Sequence, residues 1–341
     1  MCTGIRLIAN DNAVITARTL EFAQDLQSRL IIVPRNYNYR GTTFENKSDG
    51  FPWQVRYAFV GMNAYDFEQV VDGLNEQGLA GGLFYFPDYA SYQTVEVADY
   101  NKMIAPWELL TLILSSCATI AEVRELLSRI KVGNVPFPAW GFVPPVHAIV
   151  HDPTGKSLVI EYVGGKLMLH DNPLGVITNA PTFDWHMTNL RNYTGLSAFN
   201  APERNLDTLP LKPFGQGSGM FGIPGDFTSP SRFIRAVAFS HGARNSANAA
   251  TATADAFHIL NNFDIPPGSV CEAAQQEISC ESTQWSSLSD LTNRRYYVRT
   301  HGYALPQFVE LSALNFDTTT VRMIKLKEAP FYETVSETSL P

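Results

Sequence analysis

No stretch of this chain approaches the roughly 18 consecutive apolar residues that span a bilayer, and Lys and Arg are nowhere clustered. The first absence leaves no membrane span to expect. The second, with a net charge of −8, argues against a nucleic-acid partner, because phosphate binding needs concentrated positive charge. Cysteine is scarce too: the four residues Cys2, Cys117, Cys271 and Cys280 are too few for a disulfide-built scaffold. Cys117, in LTLILSSCATI, reads as a small buried hydrophobe. Cys271 and Cys280 bracket CEAAQQEISC, a spacing that suits a surface bridge or two free thiols. The start lacks the basic region and apolar core of a secretory leader. The expected location is the cytoplasm, or the periplasm if a leader has been trimmed.

Several motifs are also missing. No G-x-S-x-G occurs, so a serine-hydrolase elbow has no support. Gly217 to Gly222 matches G-x-G-x-x-G by spacing, but it follows KPFGQ and runs into IPGD instead of leaving a strand and opening a helix. His147 and His151 stand four apart in a strand-like segment, about 13 Å from each other by strand rise, too far to share a metal. Neither a metal nor an organic cofactor is expected.

What is present is a large core. Hydrophobic residues make up 45% and charged ones 17% of 341 residues, an ordinary globular balance. Ile5, Leu7 and Ala9, then Asn10-Asp11-Asn12, then Val14, Thr16 and Arg18 form a hairpin signature. VVDGLNEQGLAGGLFYFP is a second β-rich pair turning at Asn75 to Gly78. Residues 106–130 have helical periodicity in two pieces, broken near Thr119, where Thr119-x-x-Glu122 resembles a capping box. PVHAIVHD, SLVIEYV, KLMLHD and GVITN read as strands. FDWHMTNLRNY, SRFIRAVAFSH and residues 247–263 read as helices; TQWSSLSDL, RRYYVRT, QFVELSAL and TVRMIKL return to strands. Hairpin-joined strands are antiparallel, so the expected class is α+β: two antiparallel sheets face to face with helices outside. No repeat or linker divides 2–341, which reads as one domain. The irregular stretch 200–231, with its buried-type aromatics, is expected to line a site.

The chemistry centres on Cys2. A thiol becomes a good nucleophile only as thiolate. Removal of Met1 would leave Cys2 with its own base, an α-amine of ordinary pKa about 7.7–8.0. If the hairpin turn has three residues, Ala9 pairs with Ala13, Cys2 lies opposite Leu20, and Arg18 is its diagonal neighbour on the same face. A two-residue turn instead sets Cys2 opposite Glu21. Either register brings a cation and a carboxylate beside the N-terminus.

CTGIRLIANDNAVITARTLEF resembles the start of the choloylglycine hydrolase and penicillin V acylase family, whose members are N-terminal-nucleophile hydrolases. GLNEQGLAGGLFYFPDYASY, VITNAPTFDWHMTNLRNY, GIPGDFTSPSRFIRA and TQWSSLSDLTNRRYYVRT are similar to its later blocks, in order. The resemblance implies a four-layer αββα sandwich and hydrolysis of a linear amide by an N-terminal cysteine without a cofactor. It implies Cys2 as nucleophile, Arg18 beside its sulfur, Asn179 as oxyanion donor, Arg232 as a second arginine near the cysteine, and Tyr85 at the oxyanion and substrate side. Tyr85 falls where penicillin V acylases carry Tyr and bile salt hydrolases Asn. Glu21 stands where the family carries Asp, and its extra methylene would move the carboxylate by about 1.5 Å. Phe22, Phe67, Phe86, Phe214 and Phe221 are candidates for an apolar acyl pocket. The substrate expected is a small amide: penicillin V, a conjugated bile salt or an N-acyl homoserine lactone. A homotetramer is implied; a catalytically weak binding protein on the same fold is the reading of another class.

Overall fold

The computed structural model describes residues 1–242, 245–274 and 277–327. In chain order, β1 (Cys2–Ile8) and β2 (Val14–Phe22) are followed by β3 (Leu30–Val33), β4 (Phe59–Asn63), β5 (Val70–Asn75) and β6 (Ala80–Tyr85). Helices α1 (Leu109–Ser116) and α2 (Ile120–Leu127) precede β7 (Val146–His151), β8 (Ser157–Val163) and β9 (Lys166–Asp171). Then come α3 (Phe183–Asn189), α4 (Ser229–Ser240), α5 (Ala249–Leu260), β10 (Val270–Ala274), β11 (Glu277–Asp290), β12 (Arg295–Thr300), β13 (Tyr303–Glu310) and β14 (Arg322–Ile324).

These strands form two main sheets. The first runs β1-β2-β11-β12-β13, with β10 added to β11; the second runs β9-β8-β7-β6-β5-β4-β3-β14. Neighbours in both are antiparallel. Helices α4 and α5 cover the outer face of the first sheet, and α1 lies on β5 and β6 of the second. The order helix, sheet, sheet, helix is a four-layer αββα sandwich. Its inner strands are buried on both faces because both are covered, as the fully buried LIIV of β3 shows.

Local sequence explains the element ends. All but the last residue of α1 is buried, and the Asn75 side-chain amide donates to Leu114 O and Cys117 O at its C-terminus, partners that a helix end must find. Thr119 caps α2 by accepting the Glu122 N–H, while the Glu122 carboxylate accepts from Ala118 N. Cys271 and Cys280 are bonded, closing β10 onto β11. The expected strand GVITN forms only a bridge, Ile177 to Gly4, and TVRMIKL shortens to β14. Among the described residues no helix is long and apolar enough to cross a membrane.

Candidate active site

The turn decides the register at the N-terminus. Asp11 Oδ1 accepts the Ala13 N–H at 3.0 Å and Asn12 takes a left-handed conformation, φ 66°, the pattern of a three-residue hairpin loop. Ala9 N–H therefore reaches Ala13 O at 2.9 Å, and Cys2 pairs with Leu20. Arg18 lies diagonal to Cys2 and donates from Nη2 to its sulfur at 2.8 Å. The guanidinium is buried. Nη1 donates to Leu83 O at 2.7 Å, and Phe84 lies 4.1 Å below the cation.

Asn179 arrives from the other side. Gly4 and Ile177 exchange N–H···O bonds of 2.8 and 3.0 Å, so residue 179 lies beside residue 2. Cys2 N–H donates to Asn179 Oδ1 at 3.0 Å, and Arg232 Nη2 donates to the same oxygen at 2.6 Å. Two donors on one oxygen fix the amide's orientation, leaving Nδ2 to donate to Tyr85 O at 2.6 Å. Ser229, at the start of α4, accepts the Asn179 N–H at 2.9 Å. One turn later Arg232 donates to Cys2 O, to Thr3 Oγ1 at 2.9 Å and to Phe227 O at 2.9 Å. Burial lowers its pKa, opposed by Glu21 and Cys2.

Glu21 pairs with Met1 in the backbone, its N–H reaching Met1 O at 2.9 Å. Its Oε1 accepts from Thr283 Oγ1 at 3.0 Å. Burial pushes this carboxyl up, and the terminal ammonium chiefly pulls it back. That ammonium, on Met1, donates to Glu21 O at 2.7 Å and to Glu281 Oε2 at 2.5 Å.

Cys2 opens onto an almost wholly apolar cleft. Leu20, Phe22, Val71, Leu83 and Tyr85 line it from the sheets; Trp107, Phe137, Trp140 and Pro144 line it from the facing loops. Trp140 stacks on Phe22, centroids 5.3 Å apart with planes 6° from parallel, and Tyr85 meets Phe22 edge-on at 5.8 Å. The other pocket candidates lie elsewhere. Phe67 packs behind Phe137 at 4.6 Å; Phe86 is fully buried, flat against His147. Phe214 and Phe221 are exposed, at 101% and 93%. The stretch 200–231 thus contributes buttresses at its end, Phe227 and Ser229, rather than cleft walls. Its glycine run forms a surface turn around Ser218–Met220.

The other cysteines are committed elsewhere. Cys117 is buried in the core and its thiol is pushed up to about 12 by burial; Cys280 is in the disulfide.

Among known families, the linear amide C–N hydrolases of the choloylglycine hydrolase family match residues 2–323. This chain belongs to that family. It is 32% identical to a bile salt hydrolase/transferase from Clostridium perfringens, over 95% of this chain and 97% of the relative. It is 25% identical to a penicillin V acylase from Pectobacterium atrosepticum, over 96% and 84% of the two chains. A crystal structure of a variant conjugated bile acid hydrolase from C. perfringens superposes with a TM-score of 0.83 at 30% identity, covering 96% of this chain and 98% of that one. This member of the choloylglycine hydrolase family is accordingly an amide hydrolase on the N-terminal-nucleophile hydrolase fold.

Sequence reasoning missed Trp107, Phe137 and Trp140 as walls, and Ser229 and Thr283 as partners of Asn179 and Glu21. FPAWGF and the SP at the start of α4 carried some signal. Nothing in the local pattern, however, says toward which neighbour a loop aromatic or a serine hydroxyl turns.

Proposed function

We propose that Cys2, freed of Met1, attacks the carbonyl carbon of a linear amide whose apolar acyl group lies in the aromatic cleft. The thiol proton passes to the α-amine and Arg18 balances the thiolate. As the sulfur–carbon bond forms, the carbonyl oxygen takes negative charge, and the second N–H of the Asn179 amide donates to it, beside Tyr85. Loss of one such donor typically costs about 2.7–4 kcal/mol of transition-state stabilisation. The carbon–nitrogen bond then breaks and the α-ammonium protonates the departing amine. Water, its proton taken by the same amine, hydrolyses the thioester and restores Cys2.

One observation carries this reading: Arg18 and Asn179 converge on Cys2 at 2.8 and 3.0 Å at the mouth of an apolar cleft. While Met1 is attached, the Cys2 nitrogen is an amide and cannot take a proton, so the processed chain is the active form. Glu21 sets the electrostatics of the N-terminus from the opposite face of β2, and Arg232 holds Asn179 and the Cys2 carbonyl.

For the acyl group, the stacked Phe22–Trp140 pair and Tyr85 favour a flat aryloxyacetyl such as that of penicillin V. Conjugated bile salts are the second reading, favoured by the relatives named for them. The resemblance also supports a cytoplasmic homotetramer, which sizing chromatography and cell fractionation test. The processed protein should be assayed against penicillin V, glycocholate, taurocholate and a long-chain acyl homoserine lactone, with Cys2→Ala as control. Expected is turnover of penicillin V that disappears in Cys2→Ala. Activity surviving that change would sink the mechanism, and no turnover by a folded, processed protein would favour a binding role.

A further inference from the structure

The backbone that carries Asn179 is gripped by buried side chains that do not line the cleft. His147, on β7, sets Nε2 3.1 Å from Thr178 O and Nδ1 3.2 Å from Glu161 Oε1. Glu161, on β8, accepts the Phe183 N–H at 3.0 Å on the same oxygen. His186, on α3, donates from Nε2 to Asn179 O at 3.0 Å. All three of these side chains are at most 2% exposed.

Proton counting restricts what His147 can be. A carbonyl oxygen only accepts, and so does an ionised carboxylate. An imidazole between the two must therefore carry a proton on each nitrogen, or receive one from a neutral Glu161. Either way the pair holds one proton more than a neutral imidazole beside a carboxylate. Burial pushes Glu161 up, yet the His147 and His170 imidazoles and the Phe183 N–H outweigh it and hold the carboxyl at about 2. The geometry therefore places one shared proton between the two groups. Phe86 lies flat over the imidazole, 4.2 Å away with planes 3° apart, and keeps water out. Such a buried pair is a poor source of stability, because desolvating both charges offsets their attraction. Its place suggests another task.

We infer that His147 and Glu161 are positioning residues for Asn179: their shared proton clamps Thr178 O and Phe183 N, the two ends of the segment that presents the oxyanion-binding amide. This rests on the role given to Asn179 above. The clamp fixes where that amide sits without touching substrate, so its loss should slow the chemical step more than it weakens binding.

The variants His147→Gln and His147→Asn separate this from simple packing. A glutamine amide reaches about where Nε2 lies and can still donate to Thr178 O; an asparagine amide reaches only the Glu161 side. His147→Asn should lower kcat by about tenfold or more, as expected for a catalytic group displaced by a fraction of an ångström, with KM nearly unchanged. His147→Gln should recover most of that loss at a similar melting temperature. Equal losses in the two variants, or a loss in KM alone, would overturn the inference. Glu161→Gln, which can keep the Phe183 bond through its amide oxygen but cannot hold the shared proton, should fall with His147→Asn; wild-type kcat in a folded Glu161→Gln protein overturns it as well. Asn179→Ala runs alongside. If that variant keeps full activity, the reading of Asn179 fails; if it is inactive while all the clamp variants are active, only the clamp fails.

Discussion

Two irregular segments of this chain are rich in aromatic residues, and the structure uses them in opposite ways. In 137–142, Phe137 is buried among Trp107, Phe67 and Trp140, and Trp140 lies on Phe22 of β2. In 199–221, Phe199, Phe214 and Phe221 face solvent, as do Leu206, Leu209 and Leu211 of a small hairpin. Aromatic content is the same kind of signal in both. The difference is a receiving surface: the first segment crosses a strand that offers a ring, and the second crosses none. An aromatic loop becomes a cleft wall when regular structure supplies the opposing face.

This contrast can be broken by experiment, starting with the largest effect. Phe137→Ala removes a ring around which the wall is assembled and should cost about 3–5 kcal/mol, seen as a lower denaturant midpoint. Next comes acid. His186, behind Asn179, is held to about 4 by burial, against the Asn179 carbonyl bond that pulls it up. Its folded pKa is below the unfolded value of about 6.5. Its contribution is therefore complete above that value and is lost as pH falls through about 4. That amounts to up to ~3 kcal/mol, and His186→Gln should flatten this part of a stability–pH curve. Trp140→Ala should raise KM for an aryloxyacetyl amide about tenfold, the equivalent of ~1.4 kcal/mol, with kcat little altered. Smallest is the pair Phe214→Ser and Phe221→Ser, expected within about 0.5 kcal/mol of the parent and with the same KM. A raised KM there would return the exposed loop to the site.

How much of this was readable beforehand varies with the kind of residue. The hairpin, most strands of the two antiparallel sheets and the outer helices follow from periodicity, because a covered strand and a helix on a sheet leave regular apolar spacing; the short β3 and β4 were not read. The N-terminal register was readable as two alternatives. The left-handed Asn12 and the Asp11 bond to Ala13 chose between them. Cys2, Arg18, Asn179 and Arg232 were readable through family blocks, and the structure brings them together. Glu21 sits beside them, but its carboxyl turns to Thr283 on the other face. Of the cleft walls, Phe22 and Tyr85 were readable; the loop walls Trp107, Phe137 and Trp140 and the Phe86, His147 and Glu161 cluster were not. Their meaning depends on side-chain directions across elements more than ten residues apart, and no local pattern encodes those. His147 is the sharpest case: spacing dismissed it as a metal ligand and gave no hint of Glu161.

A missing side chain has the last consequence. A Cβ at Gly82, in the middle of β6, would come within 3.0 Å of both Arg18 Nη1 and an Asp72 carboxylate oxygen, and one at Gly4 within 2.8 Å of Phe84. These two absent methyl groups let the sheets close on the guanidinium, which is wedged into the sandwich like a keystone. The spacing of the layers and the placement of the Cys2 sulfur are therefore one mechanical quantity. The loops that wall the cleft lie outside this wedge. A change in the bulk of the sulfur's neighbour is felt first as a change in the gap between the two sheets at Gly4 and Gly82.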